Sequence, residues 1–238
     1  MEERIQKRIA ESGLMSRRSA EEAIRAGRVQ VNGQKAALGD TAGDEDSISL
    51  DGRPIPAKEE KQYYLLNKPK GYVCTMHDEK GRRSVRELLP ASAGRVYPVG
   101  RLDIMSEGLL LMTNDGEFSY RMMHPSWEQE KVYRTAVRGE NLMKSVARLK
   151  EPFQLDEARV QAVSVTVLKQ DGETAVVDIC IREGRNRQIR RMCELAGLTV
   201  TRLIRVREGR FTLEGLPSGK ARKLTDKEIS AILEVQRG

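Results

Sequence analysis

Apolar residues in the first fifty positions recur first at helical and then at strand spacing. Ile5, Ile9 and Ala10 share one face of a short amphipathic helix that Gly13 stops. Ser16 is placed to cap a second helix, with Ala20, Ala23 and Ile24 as its buried stripe and Gly27 as its end. Val29 and Val31 lead into Asn32-Gly33, a dipeptide that favours a tight hairpin because both residues accept positive φ. Ile48 and Leu50 alternate with serines before a further turn at Asp51-Gly52. Two helices and a few short strands predict a small α/β module. Pro54, Pro56 and the charged run Ala57–Lys61 read as a weakly structured linker, which divides the chain into residues 1–60 and 61–238.

Beyond the linker the pattern changes. An apolar strand is expected at Tyr63–Leu66 and a second at Leu109–Met112, closed by Asn114-Asp115-Gly116. Val160–Val167 alternates, turns at Asp171-Gly172 and returns through Ala175–Ile181 as a long hairpin. Ile189, Met192, Cys193 and Ala196 form a helical stripe ending at Gly197. Thr225 and Glu228 make a capping box for a last helix with Ile229, Ile232 and Leu233 inside. Hairpins with interspersed helices predict an α+β fold built on a mainly antiparallel mixed sheet.

Composition narrows the chemistry. At 39% hydrophobic and 32% charged residues the chain reads as globular, without the low hydrophobicity of a disordered one. No apolar run approaches the roughly 20 residues of a membrane helix, and the start MEERIQKR has no signal-peptide core, so a cytoplasmic protein is expected. Cys74, Cys180 and Cys193 lie far apart and suit core thiols rather than a zinc site or disulfides. His77 and His124 alone offer little for a metal cluster or a serine-type triad, and neither a phosphate-binding loop nor a dinucleotide fingerprint occurs. Any enzyme activity is therefore expected to need no cofactor and no metal. A monomer is the default expectation.

The net charge of +7 and pI of about 9.4 favour a polyanionic partner. Between Arg182 and Arg210 nine arginines and no lysine face three glutamates, a local excess of six. Arginine's planar fork binds phosphate in a bidentate manner, so this stretch points to nucleic acid, against the plainer reading of a solvated face. Arg17 and Arg18 pose a related question. Both sit in the first turn of a helix, where the macrodipole is already positive. An external anion held by the helix N-terminus with Ser16, Arg17, Arg18, Arg25 and Arg28 would resolve the repulsion, as would local neutralisation by Glu21 and Glu22. The segment RIQKRIAESGLMSRRSAEEAIRAGRVQVNG resembles the RNA-binding domain named after a small-subunit ribosomal protein, the alpha-L motif. The resemblance implies binding to structured RNA through phosphates and shape.

Asp103, in GRLDIMSEG, precedes the apolar strand 109–112. On local grounds it reads as a turn aspartate bonded to nearby N–H groups, or as half of a glycosidase-like pair with Glu107. The arginine-rich surroundings and an aromatic content of 4% disfavour sugar stacking. In order along the chain, VYPVGRLDIMSEGLLLMTNDGEF, HPSWEQEKVYRTAV and REGRNRQIRRMCELAG resemble three motifs of the RsuA/RluB family of ribosomal RNA pseudouridine synthases. Matched residue by residue, the resemblance implies Asp103 as the catalytic aspartate. It also implies Tyr133 as the tyrosine that packs on the target base, Arg190 as the arginine that pairs with the aspartate and keeps it ionised, and Leu203 as an aliphatic wall. Arg101, Arg185 and Arg187 would contact substrate. The family often carries an aromatic or polar pair and a threonine after the aspartate, where this chain has Ile104-Met105-Ser106.

The implied reaction breaks the N1–C1′ bond of a uridine, rotates the uracil and rejoins it through C5. It exchanges no atoms with a cofactor. The expected partner is ribosomal RNA or a ribosome assembly intermediate, with the large subunit favoured over the small. A non-catalytic rRNA-binding assembly factor is the alternative of a different class.

Overall fold

The computed structural model describes residues 2–76 and 78–234, so His77 lies outside the described residues. The chain forms two compact units, residues 1–61 and 62–238.

In the first unit β1 (Glu3–Arg4) runs into α1 (Ile5–Glu11), followed by α2 (Arg17–Arg25), β2 (Val29–Val31), β3 (Gln34–Lys35), β4 (Thr41–Ala42), β5 (Ile48–Leu50) and β6 (Arg53–Pro54). The apolar stripes of both helices turn inward: Ile5, Ile9, Ala20, Ala23 and Ile24 pack with Val29 and Ile48. Ser16 caps α2 by accepting from the Ser19 amide at 3.0 Å. Asn32 and Gly33 both take positive φ and turn β2 back into β3, in an antiparallel sheet of order β3-β2-β5-β6. Residues 55–59 are not the loose linker expected. The Ile55 amide donates to the Ile48 carbonyl at 3.0 Å and the Glu59 amide to the Glu11 carbonyl at 2.8 Å. Lys58 Nζ lies 2.7 Å from Glu3 and 3.0 Å from Glu11, with Lys7 on the same two carboxylates. A window of Pro, Lys and Glu looks unstructured when its partners stand fifty residues upstream.

In the second unit the strands are β7 (Tyr63–Lys68), β8 (Tyr97–Val99), β9 (Glu107–Thr113), β10 (Lys131–Arg138), β11 (Phe153–Leu155), β12 (Ala158–Val160), β13 (Ser164–Asp171), β14 (Thr174–Ile181), β15 (Thr199–Glu208), β16 (Phe211–Thr212) and β17 (Ala221–Lys223). The helices are α3 (Gly116–Met123), α4 (Leu142–Arg148), α5 (Gln188–Leu195) and α6 (Asp226–Leu233). Among the described residues nine strands form one sheet of order β13-β14-β10-β15-β9-β7-β17, with β16 on β15 and β8 on β9. Its pairings are antiparallel except β9 with β15, where Glu107 faces Ile204 and Gly108 faces Arg205.

Both faces of the central strands are covered, which is why β7 and β9 read as continuous apolar runs. Tyr64, Leu66, Leu110 and Met112 join a core with Tyr133, Leu203 and the stripe of α5. Their neighbours Tyr63, Leu65, Leu109 and Leu111 point the other way, into a core with Phe118, Phe211 and Ile232 from α3, β16 and α6. Two expectations shift. Val160 belongs to a separate short hairpin, β11–β12, and the long strand begins at Ser164. Asp115 is not a simple turn residue: it caps α3, accepting from the Glu117 amide at 3.0 Å and from the Tyr63 hydroxyl at 2.7 Å.

Candidate active site

The stretch 100–106 connects β8 to β9, and its backbone is held from Leu102 onward. Lys68, the last residue of β7, is fully buried beneath it. Its Nζ donates to the carbonyls of Ser106 at 2.7 Å, Asp103 at 3.1 Å and Pro69 at 3.1 Å, with that of Ile104 at 3.5 Å. The Gly71 amide donates to the Ile104 carbonyl at 2.8 Å, and Arg190 Nη2 to the Met105 carbonyl at 3.2 Å. Cys74 Sγ donates to the Leu102 carbonyl at 3.2 Å. Every carbonyl from Leu102 to Ser106 is thus engaged. The side chain of Asp103, by contrast, makes no hydrogen bond or ion pair among the described residues. A turn aspartate would bond the neighbouring amides; this one leaves its carboxylate uncommitted.

That carboxylate faces a cavity of about 60 Å³ lined also by Arg101, Leu102, Ser106, Tyr133, Ile181, Arg187, Gln188, Ile189 and Leu203. Tyr133 comes from β10 and Leu203 from β15, adjacent strands of the sheet. Burial pushes the Tyr133 phenol above its ordinary pKa. Beside it in register is Arg205, only 2% exposed, whose Nε donates to the Leu109 carbonyl at 2.8 Å and whose Nη2 lies 3.2 Å from Glu208. The Arg205 charge acts against the effect of burial on the Tyr133 phenol. The close approach of β9 to β15 requires Gly108, at φ +108: a Cβ there would stand 2.3 Å from the Arg205 carbonyl oxygen. Arg187, the N-cap of α5, takes a left-handed φ of 50°, a backbone state that strains a non-glycine residue. It turns the chain so that Gln188 and Ile189 face the cavity.

Of the residues singled out from sequence, Asp103, Tyr133, Leu203, Arg101 and Arg187 therefore share one cavity. Arg185 is exposed and does not line it. Arg190 departs from expectation: it makes no ion pair with Asp103 but braces the backbone two residues further on, with Nε buried and unbonded. Burial, then the nearby Arg187, pull its pKa below the ordinary value, while Asp103 acts in the opposite sense. A cleft of about 970 Å³ opens on the same carboxylate, with Lys80, Arg101, Ile104, Met123 and Asn186 among its walls. Glu107 is not a second acid beside Asp103. Arg202 holds it through two bonds of 3.0 Å, Lys70 stands 3.6 Å away, and the Arg202 pair draws its pKa down.

The arginine-rich stretch is not one cationic face. Arg191 pairs with Asp156, Arg202 with Glu107 and Arg207 with Glu130, while Arg205 is interior. Arg182 lies 3.9 Å from Glu130, and Arg210 Nη1 lies 3.5 Å from the Ala231 carbonyl. The side chains left without partners among the described residues are Arg185 and Arg187, of which Arg187 lines the cavity. The compensating carboxylates of Glu107, Glu130 and Asp156 all precede Arg182 in sequence, outside the arginine-rich window. Sequence reasoning missed Lys68, Arg205 and Glu208 as parts of the site. Lys68 merely closes a largely apolar strand, and Arg205 and Glu208 stand among Arg202 and Arg207 on β15 with nothing local to set them apart.

In the first unit Arg17 and Arg18 are exposed and unpaired among the described residues, and Glu21 bonds Gln6 at 3.5 Å rather than either arginine. Arg25 lies in the last turn of α2, about 12 Å along the axis from Arg17. Arg28 is held by Asp51 through bonds of 2.8 and 2.5 Å. The structure thus does not gather these four arginines at one helix end.

A family model for RNA pseudouridylate synthase matches residues 62–195, and one for the S4 domain matches residues 3–48. The first spans more than half of the chain, and the chain belongs to the RNA pseudouridylate synthase family. Ribosomal large subunit pseudouridine synthase B of Bacillus subtilis (strain 168) is 40% identical over 233 residues, covering 97% of this chain and 95% of the relative. The protein of that name from Vibrio cholerae is 39% identical over 245 residues, covering 99% and 75% respectively. A solved structure described as a pseudouridylate synthase superposes with a TM-score of 0.66 at 30% identity, covering 96% of this chain and 99% of that one. Among the described residues no helix is long and apolar enough to cross a membrane.

Proposed function

We propose that this protein isomerises a uridine of large-subunit (23S) ribosomal RNA to pseudouridine, with Asp103 as the carboxylate that acts at the ribose. The carrying observation is that carboxylate itself, uncommitted on a loop whose carbonyls from Leu102 to Ser106 are all anchored, and lining one small cavity together with Tyr133. A base inside a stacked strand cannot reach such a group, so the target nucleotide swings out and Tyr133 replaces part of the lost stacking. Asp103 then either attacks C1′ or removes the C2′ proton. The N1–C1′ bond breaks, the uracil rotates, a C5–C1′ bond forms, and the proton lost from C5 is balanced by one gained at N1. Leu203 closes the pocket on the apolar side. Arg101, Arg187 and the exposed Arg185 meet the phosphates of the flanking strand, and Arg190 contributes by fixing the loop. The S4-like unit adds a second RNA contact through α2, led by Arg17 and Arg18. As part of this reading the enzyme works in the cytoplasm as a monomer, on rRNA or an assembly intermediate.

The test is Asp103→Asn assayed on unmodified large-subunit and small-subunit rRNA transcripts. Pseudouridine formation on the large-subunit transcript should fall by at least about 10³-fold with RNA affinity kept, since the change preserves shape and removes the nucleophile or base. A wild-type protein that modifies neither transcript but binds both would be an assembly factor. Modification of the small-subunit transcript alone would move the substrate assignment.

A further inference from the structure

Ile104 and Met105 follow Asp103 directly, and 39% and 52% of their surfaces are exposed. Single exposed apolar residues are ordinary on a soluble protein. These two differ in how they are presented. The carbonyl of Ile104 is bound by the Gly71 amide and that of Met105 by Arg190, so the backbone cannot roll to turn either side chain inward. Ile104 lines the same cleft as Asp103, where Met123, itself 49% exposed, adds to the apolar surface. Arg101 and Arg187, neither paired among the described residues, flank the carboxylate. An apolar projection set among cations suits a partner with flat apolar faces along an anionic backbone. Stacked nucleobases have that chemistry, and side chains such as Ile and Met are known to enter base steps as wedges.

Resting on the function proposed above, we infer that Ile104 and Met105 form a wedge that occupies the base stack beside the target uridine as that uridine leaves it. The pinned loop then does two things at once: it aims the carboxylate and it opens the strand. The wedge lowers the cost of unstacking and contributes nothing to the chemistry of an already unstacked base. Its contribution should therefore depend on the substrate and not on the reaction.

The experiment uses the full chain and the uridine that it modifies in an unmodified large-subunit rRNA transcript, transplanted into two RNA hairpins. One keeps both neighbouring bases; the other replaces both with abasic residues, so that the uridine has nothing to leave. A variant carrying Ile104→Ser and Met105→Ser should modify the stacked hairpin about tenfold more slowly in single turnover, a part of the cost of unstacking one base step. It should match the wild type within about twofold on the abasic hairpin. Met105→Leu should retain the wild-type rate on both. Equal loss on the two hairpins would mean that the loop residues serve the chemistry or the fold, and no loss on either would mean that they serve neither; both results overturn the wedge. If the wild type modifies no uridine in the transcript, the proposed function falls first and the wedge falls with it.

Discussion

Replacing Lys68 by methionine tests the claim that the site is held from below by one buried ammonium group. Methionine keeps nearly the same length and volume and removes the donors. Four carbonyls are deprived of a donor, but not equally. The Asp103 carbonyl still accepts from the Ser106 amide at 2.9 Å and the Ile104 carbonyl from the Gly71 amide at 2.8 Å. The carbonyls of Pro69 and Ser106 have no second donor among the described residues, and a buried unsatisfied carbonyl costs about 1–3 kcal/mol. The relief of desolvating the ammonium, which holds the Lys68 pKa below its ordinary value, offsets part of this. A net loss of about 3 kcal/mol is expected. With a urea dependence of about 2 kcal/mol per molar, the unfolding midpoint should drop by about 1.5 M. Trp127, the only tryptophan, lies in the larger unit, so its fluorescence follows that unit alone. In the folded variant the slackened loop should lower the single-turnover rate by about 10²-fold, the order expected for a displacement near 1 Å. A midpoint shift below about 0.3 M, or an unchanged rate, would refute the reasoning.

Arg17→Ala combined with Arg18→Ala should weaken RNA binding and lower the slope of log affinity against log salt by about one unit for each phosphate no longer neutralised. Arg28→Ala should change that slope less, because Asp51 already holds its guanidinium; filter binding across a salt series reads both. Glu3 and Glu228 have pKa values pulled from 4.5 to about 2, the first mainly by Lys58 and then Lys7, the second mainly by Arg222. Because the folded state holds their protons less tightly than the unfolded state, their stabilisation is complete above about pH 5 and drains away as pH falls towards 2. Glu228→Gln should flatten the loss of stability of the larger unit over that window, followed by Trp127 fluorescence, and an unchanged profile would remove the Arg222 pair from the account.

Features set by short-range chemistry were legible in the sequence. Ser16 and Thr225 announce helix starts because capping depends on residues within one turn, and Asn32-Gly33 announces a hairpin because positive φ is a local property. The cavity's contributors were reached through motif resemblance rather than through spacing. Asp103, Tyr133 and Leu203 lie on separate elements whose adjacency depends on sheet order, which periodicity does not encode. Charge was read least well. Arg205 and Arg202 count equally in a sequence window, yet one is buried beside Tyr133 and the other is matched by Glu107, 95 positions away. Lys68, in Asn-Lys-Pro-Lys-Gly, looks like a turn lysine because nothing nearby shows that a loop 35 residues later will settle on it.

The single parallel seam between β9 and β15 also bears on when the molecule becomes competent. Glu107 and Gly108 wait for Ile204 and Arg205, so the wall carrying Leu203 is synthesised well after the aspartate loop that it faces. Until β15 arrives, the aspartate loop has its lysine support from β7 but no facing surface, and β9 presents an apolar edge to solvent. Pairings of such long sequence separation form late and slowly. On the function proposed above, a chain emerging from the ribosome completes the residues that would hold RNA well before those that would modify it, which separates binding from chemistry in time.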